Sequence, residues 1–134
     1  MTYVGALDRT ATQAEIAAAA CVVVPSICHD VLPTVVLEAL AAGRPVLGTN
    51  LGGIPYLVGV DDAVGADGAA GWVTEPRADA FAIGLVRAHA DAEGRAHAAR
   101  RRYEECFAPP VLTQRLLDIY AQTTPLARIP PDVP

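Results

Sequence analysis

Two carboxylates and a pair of glycines mark the stretch of this chain best equipped for chemistry. Asp30 and Glu38 stand in the run PSICHDVLPTVVLEALAAGRPVLGTNLGG, Pro25 to Gly53, which closes on Gly52 and Gly53. From Thr34 to Gly43 the only charged residue is Glu38, among Val35, Val36, Leu37, Ala39, Leu40, Ala41 and Ala42. A helix apolar nearly all round is expected to be a buried one. A carboxylate on it must be hydrogen-bonded or lie at the mouth of a cleft, because burying it unpaired costs on the order of several kcal/mol. The amides at the start of that helix lack intrahelical acceptors and carry positive partial charge, which suits a phosphate. Gly52 and Gly53 would let backbone approach a ligand closely. This chemistry points to a phosphorylated ligand.

Cys28, His29 and Asp30 are neighbours and invite a nucleophilic reading, but neighbours on a loop point apart, and the geometry needs partners from elsewhere. Cys21, Cys28 and Cys106 are odd in number and widely spaced, which suggests neither a disulfide framework nor a zinc site. Cys21 is expected to pack as a small apolar residue at the start of a strand.

The elements that must position these groups alternate between strand and helix. Tyr3 and Val4 read as the tail of a very short strand, and Thr12 to Ala20 as a helix opened by a Thr12–Glu15 capping box. Cys21 to Val24 is a continuous apolar strand of the kind found in a parallel sheet covered on both faces. A loop from Pro25 leads to the helix begun by Pro33 and Thr34, which Gly43 ends in a left-handed conformation. Val46 to Gly48 is the next strand, Ile54 to Val58 a short helix, Asp61 to Ala70 a polar, glycine-rich loop, and Trp72 to Thr74 the last strand. Helices follow at about Asp79 to Ala92, Arg95 to Phe107 and Val111 to Ala121. The tail from Thr123 holds four prolines and reads as an extended strap or disordered. The expected division is a domain over 1–121 and a Pro-rich tail over 122–134.

Such alternation argues an α/β, doubly wound parallel sheet with right-handed crossovers. Ligands then bind beyond the carboxyl ends of the strands. Both the Pro25–Pro33 loop and the Thr49–Gly53 turn fall on that edge, and Arg44 on the opposite one.

Composition bounds the function. The 134 residues are 52% hydrophobic and 19% charged, enough for one core and too little charge for disorder. A net charge of −5 argues against nucleic acid as a partner, and Arg100, Arg101 and Arg102, followed by Glu104 and Glu105, read as a solvated helix face. No apolar run reaches the roughly 20 residues that span a bilayer, and Met1 is not followed by a signal sequence, so a cytoplasmic location is expected. All ten basic residues are Arg, which a GC-rich coding bias explains more simply than function.

The motif residues resemble the C-terminal donor-binding domain of GT-B-fold glycosyltransferases, particularly the retaining group called family 4. Its signature of Pro-Ser, an acidic residue, Glu-Ala after seven intervening residues, Gly-x-Pro-Val and Gly-Gly-x-Pro reads here as Pro25-Ser26, Asp30, Glu38-Ala39, Gly43-Arg44-Pro45-Val46 and Gly52-Gly53-Ile54-Pro55. The likeness continues to Ala70-Gly71-Trp72-Val73 and covers most of Tyr3 to Tyr120.

The resemblance implies a Rossmann-like sheet and transfer of a sugar, with retention, from a nucleoside diphosphate sugar, without a required metal or other cofactor. Glu38 matches the position that accepts hydrogen bonds from the donor ribose, and Asp30 the one that contacts sugar hydroxyls near the reacting carbon. Leu32, Thr34 and Val35 match positions whose amides hold the diphosphate, and Ser26, Pro33, Gly52 and Gly53 complete the implied donor site. The competing structural roles are a buried acid satisfied by a backbone amide for Glu38 and a turn residue for Asp30. Asp30 is a methylene shorter than the commoner Glu, Pro33 removes an amide from the phosphate cradle, and Tyr56 replaces a frequent Glu, with packing as its alternative role.

Against the family pattern, the first strands with their Gly-Arg and Lys phosphate-binding positions and the N-terminal acceptor domain are missing, which implies a donor-site fragment. Its exposed sheet edge is expected to recruit a chain supplying those parts, or to self-associate. The alternatives are a non-catalytic nucleotide-sugar-binding subunit and a structural remnant. A nucleotide-sugar 2-epimerase fits the motif spacing less well.

Overall fold

The computed structural model describes residues 2–60 and 69–123. Its elements in chain order are α1 (Arg9–Ala18), β1 (Val22–Val24), α2 (Thr34–Ala41), β2 (Val46–Thr49), α3 (Ile54–Val58), β3 (Gly71–Thr74), α4 (Ala78–Cys106) and α5 (Pro109–Thr123). The three strands form a parallel sheet in the order β1-β2-β3, with Val23 opposite Leu47 and Leu47 opposite Trp72. The expected α/β parallel sheet is therefore present.

Alternate residues of β2 feed two cores, as the period of a strand requires. Val46 packs with Val24, Val36, Leu40, Leu57 and Phe107 on one side. Leu47 packs with Trp72, Ala88 and Ala92 on the other. Helices α2 and α3 cover the first face. Helix α4 serves both: Ala88 and Ala92 lie on the second core, whereas Ala99 reaches the first. Its 29 residues span about 43 Å, long enough to pass from one layer to the other.

Four expectations about elements change. Tyr3 and Val4 are exposed and form no strand. The Thr12–Glu15 capping box is not used: α1 begins at Arg9, and Asp8 caps it by accepting the Ala11 amide at 2.8 Å. Thr12 instead sits inside the helix and donates its hydroxyl to the Asp8 carbonyl at 2.8 Å. The helices expected on either side of Gly94 are one helix, because the buried stripe Gly84, Ala88, Ala92 and Ala99 keeps helical period through it and the Asp91–Arg95 ion pair bridges it at 2.9 Å. Finally, α5 runs from Pro109 to Thr123, two residues longer at each end than expected. Gly43 is left-handed, with φ of 67°, as its place after α2 required. Of the glycine-rich loop, 61–68 lies outside the described residues, as does the tail over 124–134.

The two long sides of the sheet end differently. Along β3, Arg95 donates to the carbonyls of Ala69 at 3.0 Å and Gly71 at 3.4 Å, and its guanidinium lies 4.9 Å from the Trp72 ring. Along β1, no described strand pairs on the outer side, and Val23 is 42% exposed.

Candidate donor site at the carboxyl end of the sheet

Two connections leave the carboxyl ends of neighbouring strands and meet: the β1–α2 loop, Pro25 to Pro33, and the β2–α3 turn, Asn50 to Gly53. Three hydrogen bonds join the first loop to the end of β2 and the turn that follows it. Thr49 donates its hydroxyl to the Ser26 carbonyl at 2.8 Å, Gly53 its amide to the Asp30 carbonyl at 2.8 Å, and Gly52 its amide to His29 Nδ1 at 3.3 Å. The glycines are required by this contact. A Cβ on Gly52 would lie 2.1 Å from the Asp30 carbonyl oxygen and one on Gly53 2.0 Å from that of Val31, and Gly52 is left-handed with φ of 56°. The close approach that the two glycines permit is thus to the chain's own loop, and both amides already have acceptors.

Helix α2 starts on this edge. Its apolar sequence suggested burial all round, yet Val36, Ala39 and Leu40 alone are fully covered, and Thr34, Val35, Glu38 and Ala42 form an outward stripe. The helix is short, and α1, α3 and α4 flank it without reaching over that stripe. Glu38 is exposed, and its carboxylate makes no hydrogen bond or ion pair with the described residues. The alternative of a buried acid held by a backbone amide is therefore removed. Its carboxylate remains hydrated, at no desolvation cost.

The loop uses some of its polar groups itself. Asp30 Oδ1 accepts the Leu32 amide at 3.0 Å, a side-chain turn. The Leu32 amide is thereby occupied, and Asp30 does serve as a turn residue, with its side chain exposed. Pro33 is buried at the N-cap of α2, contributes no amide donor and makes no side-chain cap. The Val36 amide bonds back to the Pro33 carbonyl at 3.0 Å. Among the described residues, the amides of Thr34 and Val35 have no acceptor, as expected for a first helical turn. Ser26 is half-buried beneath the loop. The structure brings the loop of Asp30 and Leu32 against Gly52 and Gly53, with Thr34 and Val35 opening α2 after it and Glu38 one turn along that helix, whereas His29 and Thr49, which make two of the contacts, went unnoticed. Only their position on facing loops could have suggested them.

Cys28 is exposed on this loop, and Cys21 is half-buried under the second core, where burial raises its thiol pKa against the opposing effect of the Leu47 backbone. Among the described residues no three His, Cys, Asp or Glu side chains gather as metal ligands would. None of their helices is long and apolar enough to cross a membrane.

The basic residues of α4 refine another expectation. Arg100, Arg101, Glu104 and Glu105 are exposed, as a solvated face requires, whereas Arg102 is half-buried. Arg100 donates to the Ala41 carbonyl and pairs with Glu104 at 2.7 Å. Arg102 donates to the Tyr56 carbonyl at 2.7 Å and stacks over the rings of Tyr56 and Phe107, 5.8 and 5.5 Å from their centroids. Arg100 reaches the last residue of α2, and Arg102 adds a second donor to a carbonyl of α3 that the Gly59 amide also meets at 3.2 Å. Tyr56 is half exposed and packs edge-on against Phe107, so packing is the role it has here.

With this geometry in place, comparison with known proteins decides the family. Residues 1–91 match the family described as "Glycosyl transferases group 1". The chain belongs to that family. Among solved structures it is similar to a sucrose-phosphate synthase from Thermosynechococcus elongatus, with a TM-score of 0.73 and 27% identity over 90% of this chain. The chain spans 29% of that protein's length. No curated protein matches it. The small parallel sheet with its helices is thus part of a GT-B glycosyltransferase fold, and glycosyl transfer is the general activity of the family.

Proposed function

We propose that this chain forms the donor-binding wall of a family 4 glycosyltransferase, which moves a sugar from a nucleoside diphosphate sugar to an acceptor with retention and without a required metal. One observation carries the reading. Glu38 stands exposed and unpaired on the same outward stripe as the two acceptor-free amides of Thr34 and Val35, at the carboxyl end of a parallel sheet, where ligands of such folds bind.

In this reading the Thr34 and Val35 amides and the start of α2 hold the diphosphate through partial positive charge. Glu38 accepts hydrogen bonds from the ribose hydroxyls. Asp30, whose second carboxylate oxygen is not used in its own turn, faces the hydroxyls of the donor sugar near the carbon whose bond to the diphosphate breaks. Its charge then helps most as positive charge grows on that carbon. Ser26, Leu32, Pro33, Gly52 and Gly53 set the shape of the rim. A cytoplasmic protein handling soluble nucleotide sugars fits this chemistry.

In the complete enzyme, Asp30→Asn is expected to lower turnover more than it weakens binding of the nucleoside diphosphate alone. Equal losses in the two measurements would reject the assignment of Asp30 to the sugar.

The open side of β1 favours a second element of the proposal. Three valines in a row, none charged, leave an edge with nothing to discourage pairing. We propose that a strand from another chain, or from a second copy of this one, completes the sheet there, and that the acceptor wall comes with it. A nucleotide-sugar-binding subunit without catalysis is the corresponding alternative. Positioning of donor and acceptor together accounts for about 7–11 kcal/mol of barrier lowering in such reactions, so the purified polypeptide is expected to be inactive and to self-associate at about micromolar concentration. Assaying nucleotide release with several donors, alongside light scattering, tests this. Robust turnover by a monodisperse monomer would overturn it.

A further inference from the structure

His29 has no place in the chemistry above, yet it is the side chain that crosses between the two connections of the candidate site. Its Nδ1 lies 3.3 Å from the Gly52 amide, so the ring must present an unprotonated nitrogen there. One residue along each strand of this contact, the Gly53 amide meets the Asp30 carbonyl at 2.8 Å. The two bonds run side by side, between consecutive residues of one connection and consecutive residues of the other. The left-handed Gly52 allows the turn to lie flat against Asp30, within 2.1 Å of where a Cβ would be. Asp30 is fixed from its other side by the Leu32 amide, at 3.0 Å.

We infer that His29 is a positioning residue: it staples the Gly-Gly turn to the β1–α2 loop and so sets where Asp30 and the first amides of α2 stand relative to each other. The inference rests on the donor-site reading for its consequence, and on geometry alone for the staple. The loop is exposed on its other side and α2 receives no side-chain cap, so these paired bonds and the Thr49–Ser26 bond carry its placement. The imidazole contributes an acceptor on a short, stiff side chain, which few residues supply at that distance. Asparagine is one of them, since its amide oxygen falls close to the position of Nδ1.

The test compares His29→Leu, which keeps bulk and removes the acceptor, with His29→Asn, which keeps the acceptor. Amide exchange measured by nuclear magnetic resonance on the full chain is expected to speed up at Gly52 in His29→Leu by about fivefold, the consequence of losing one ordinary hydrogen bond, and to return toward the parent value in His29→Asn. Titration with uridine, adenosine and guanosine diphosphates is expected to show severalfold weaker binding in His29→Leu and rescue in His29→Asn, with the melting temperature of His29→Leu lowered by only a few degrees. Unchanged Gly52 exchange in His29→Leu would overturn the staple. Faster exchange with unchanged affinity would overturn the positioning role and leave the donor-site reading intact. If the parent chain binds none of the nucleotides, the donor-site reading fails and takes the positioning role with it, while exchange still decides the staple.

Discussion

Helix α4 spends several of its charges on the chain's own backbone, and helix α2 spends none. On α4, Arg95, Arg100 and Arg102 are spent on the chain itself, donating to the carbonyls of Ala69, Gly71, Ala41 and Tyr56, while Arg87, Glu93, Arg101 and Glu105 are exposed without a partner among the described residues. On α2, the single charged side chain, Glu38, is engaged by nothing among the described residues, and the amides of Thr34 and Val35 are equally open. A charge that caps a backbone group explains itself through stability. A charge left alone beside open amides, on an otherwise apolar helix, is the feature on which we propose a ligand-binding role.

That contrast can be broken at several points. The largest effect is expected on the inner side of α2, where Leu40 is fully buried between the helix and β2. Leu40→Ala should cost about 2–5 kcal/mol of folding stability through lost burial and the cavity left behind, read from urea unfolding. Next comes Arg95→Met, which keeps much of the side-chain volume over Trp72 but strips the donors from Ala69 and Gly71. A loss of about 1–3 kcal/mol is expected, the scale of hydrogen bonds to a charged group. A smaller loss would mean that water replaces the guanidinium at the β3 edge. The smallest effect is expected at Glu38 itself: in Glu38→Gln, stability should stay within about 0.5 kcal/mol of the parent. A clear loss of stability there would show that Glu38 has a structural partner and would erase the contrast between the two helices.

Much of this was legible in the sequence, and the reasons differ by element. The strands Val22–Val24 and Val46–Thr49 and the short helix Ile54–Val58 fell within a residue of expectation because each adjoins a Pro or Gly: Pro25 after the first, Pro45 before the second, and Gly53 and Gly59 around the helix. The shared edge followed from topology, since connections after successive parallel strands leave from the same side. Burial was harder. Helix α2 looks buried all round because its outward stripe is Thr34, Val35, Glu38 and Ala42, of which only Glu38 is charged. Local composition cannot say which neighbours stop short of a helix.

Long-range polar contacts were illegible for a related reason. His29 and Gly52 are 23 residues apart, as are Ser26 and Thr49, and nothing in either segment alone announces the pairing. The same holds for the arginines of α4, whose carbonyl partners lie 26, 59 and 46 residues away. The run of three arginines is largely the solvated face that it looks like, and only tertiary structure shows that Arg100 and Arg102 also reach backbone carbonyls of other helices. Gly94 misled in the opposite direction, since a glycine inside a helix costs about 1 kcal/mol and a continuous buried stripe on both sides overrides that.

The most direct test of the central claim is a titration of the amide-labelled chain with nucleoside diphosphates, followed residue by residue by nuclear magnetic resonance, in the parent and in Glu38→Gln. The account predicts that the largest shifts fall on the amides of Thr34, Val35 and their neighbours in the β1–α2 loop. It also predicts that Glu38→Gln, while equally folded, binds more weakly by roughly 1–3 kcal/mol, or about 5- to 150-fold. Equal affinities in the two proteins, or shifts confined to surfaces away from α2, would contradict it.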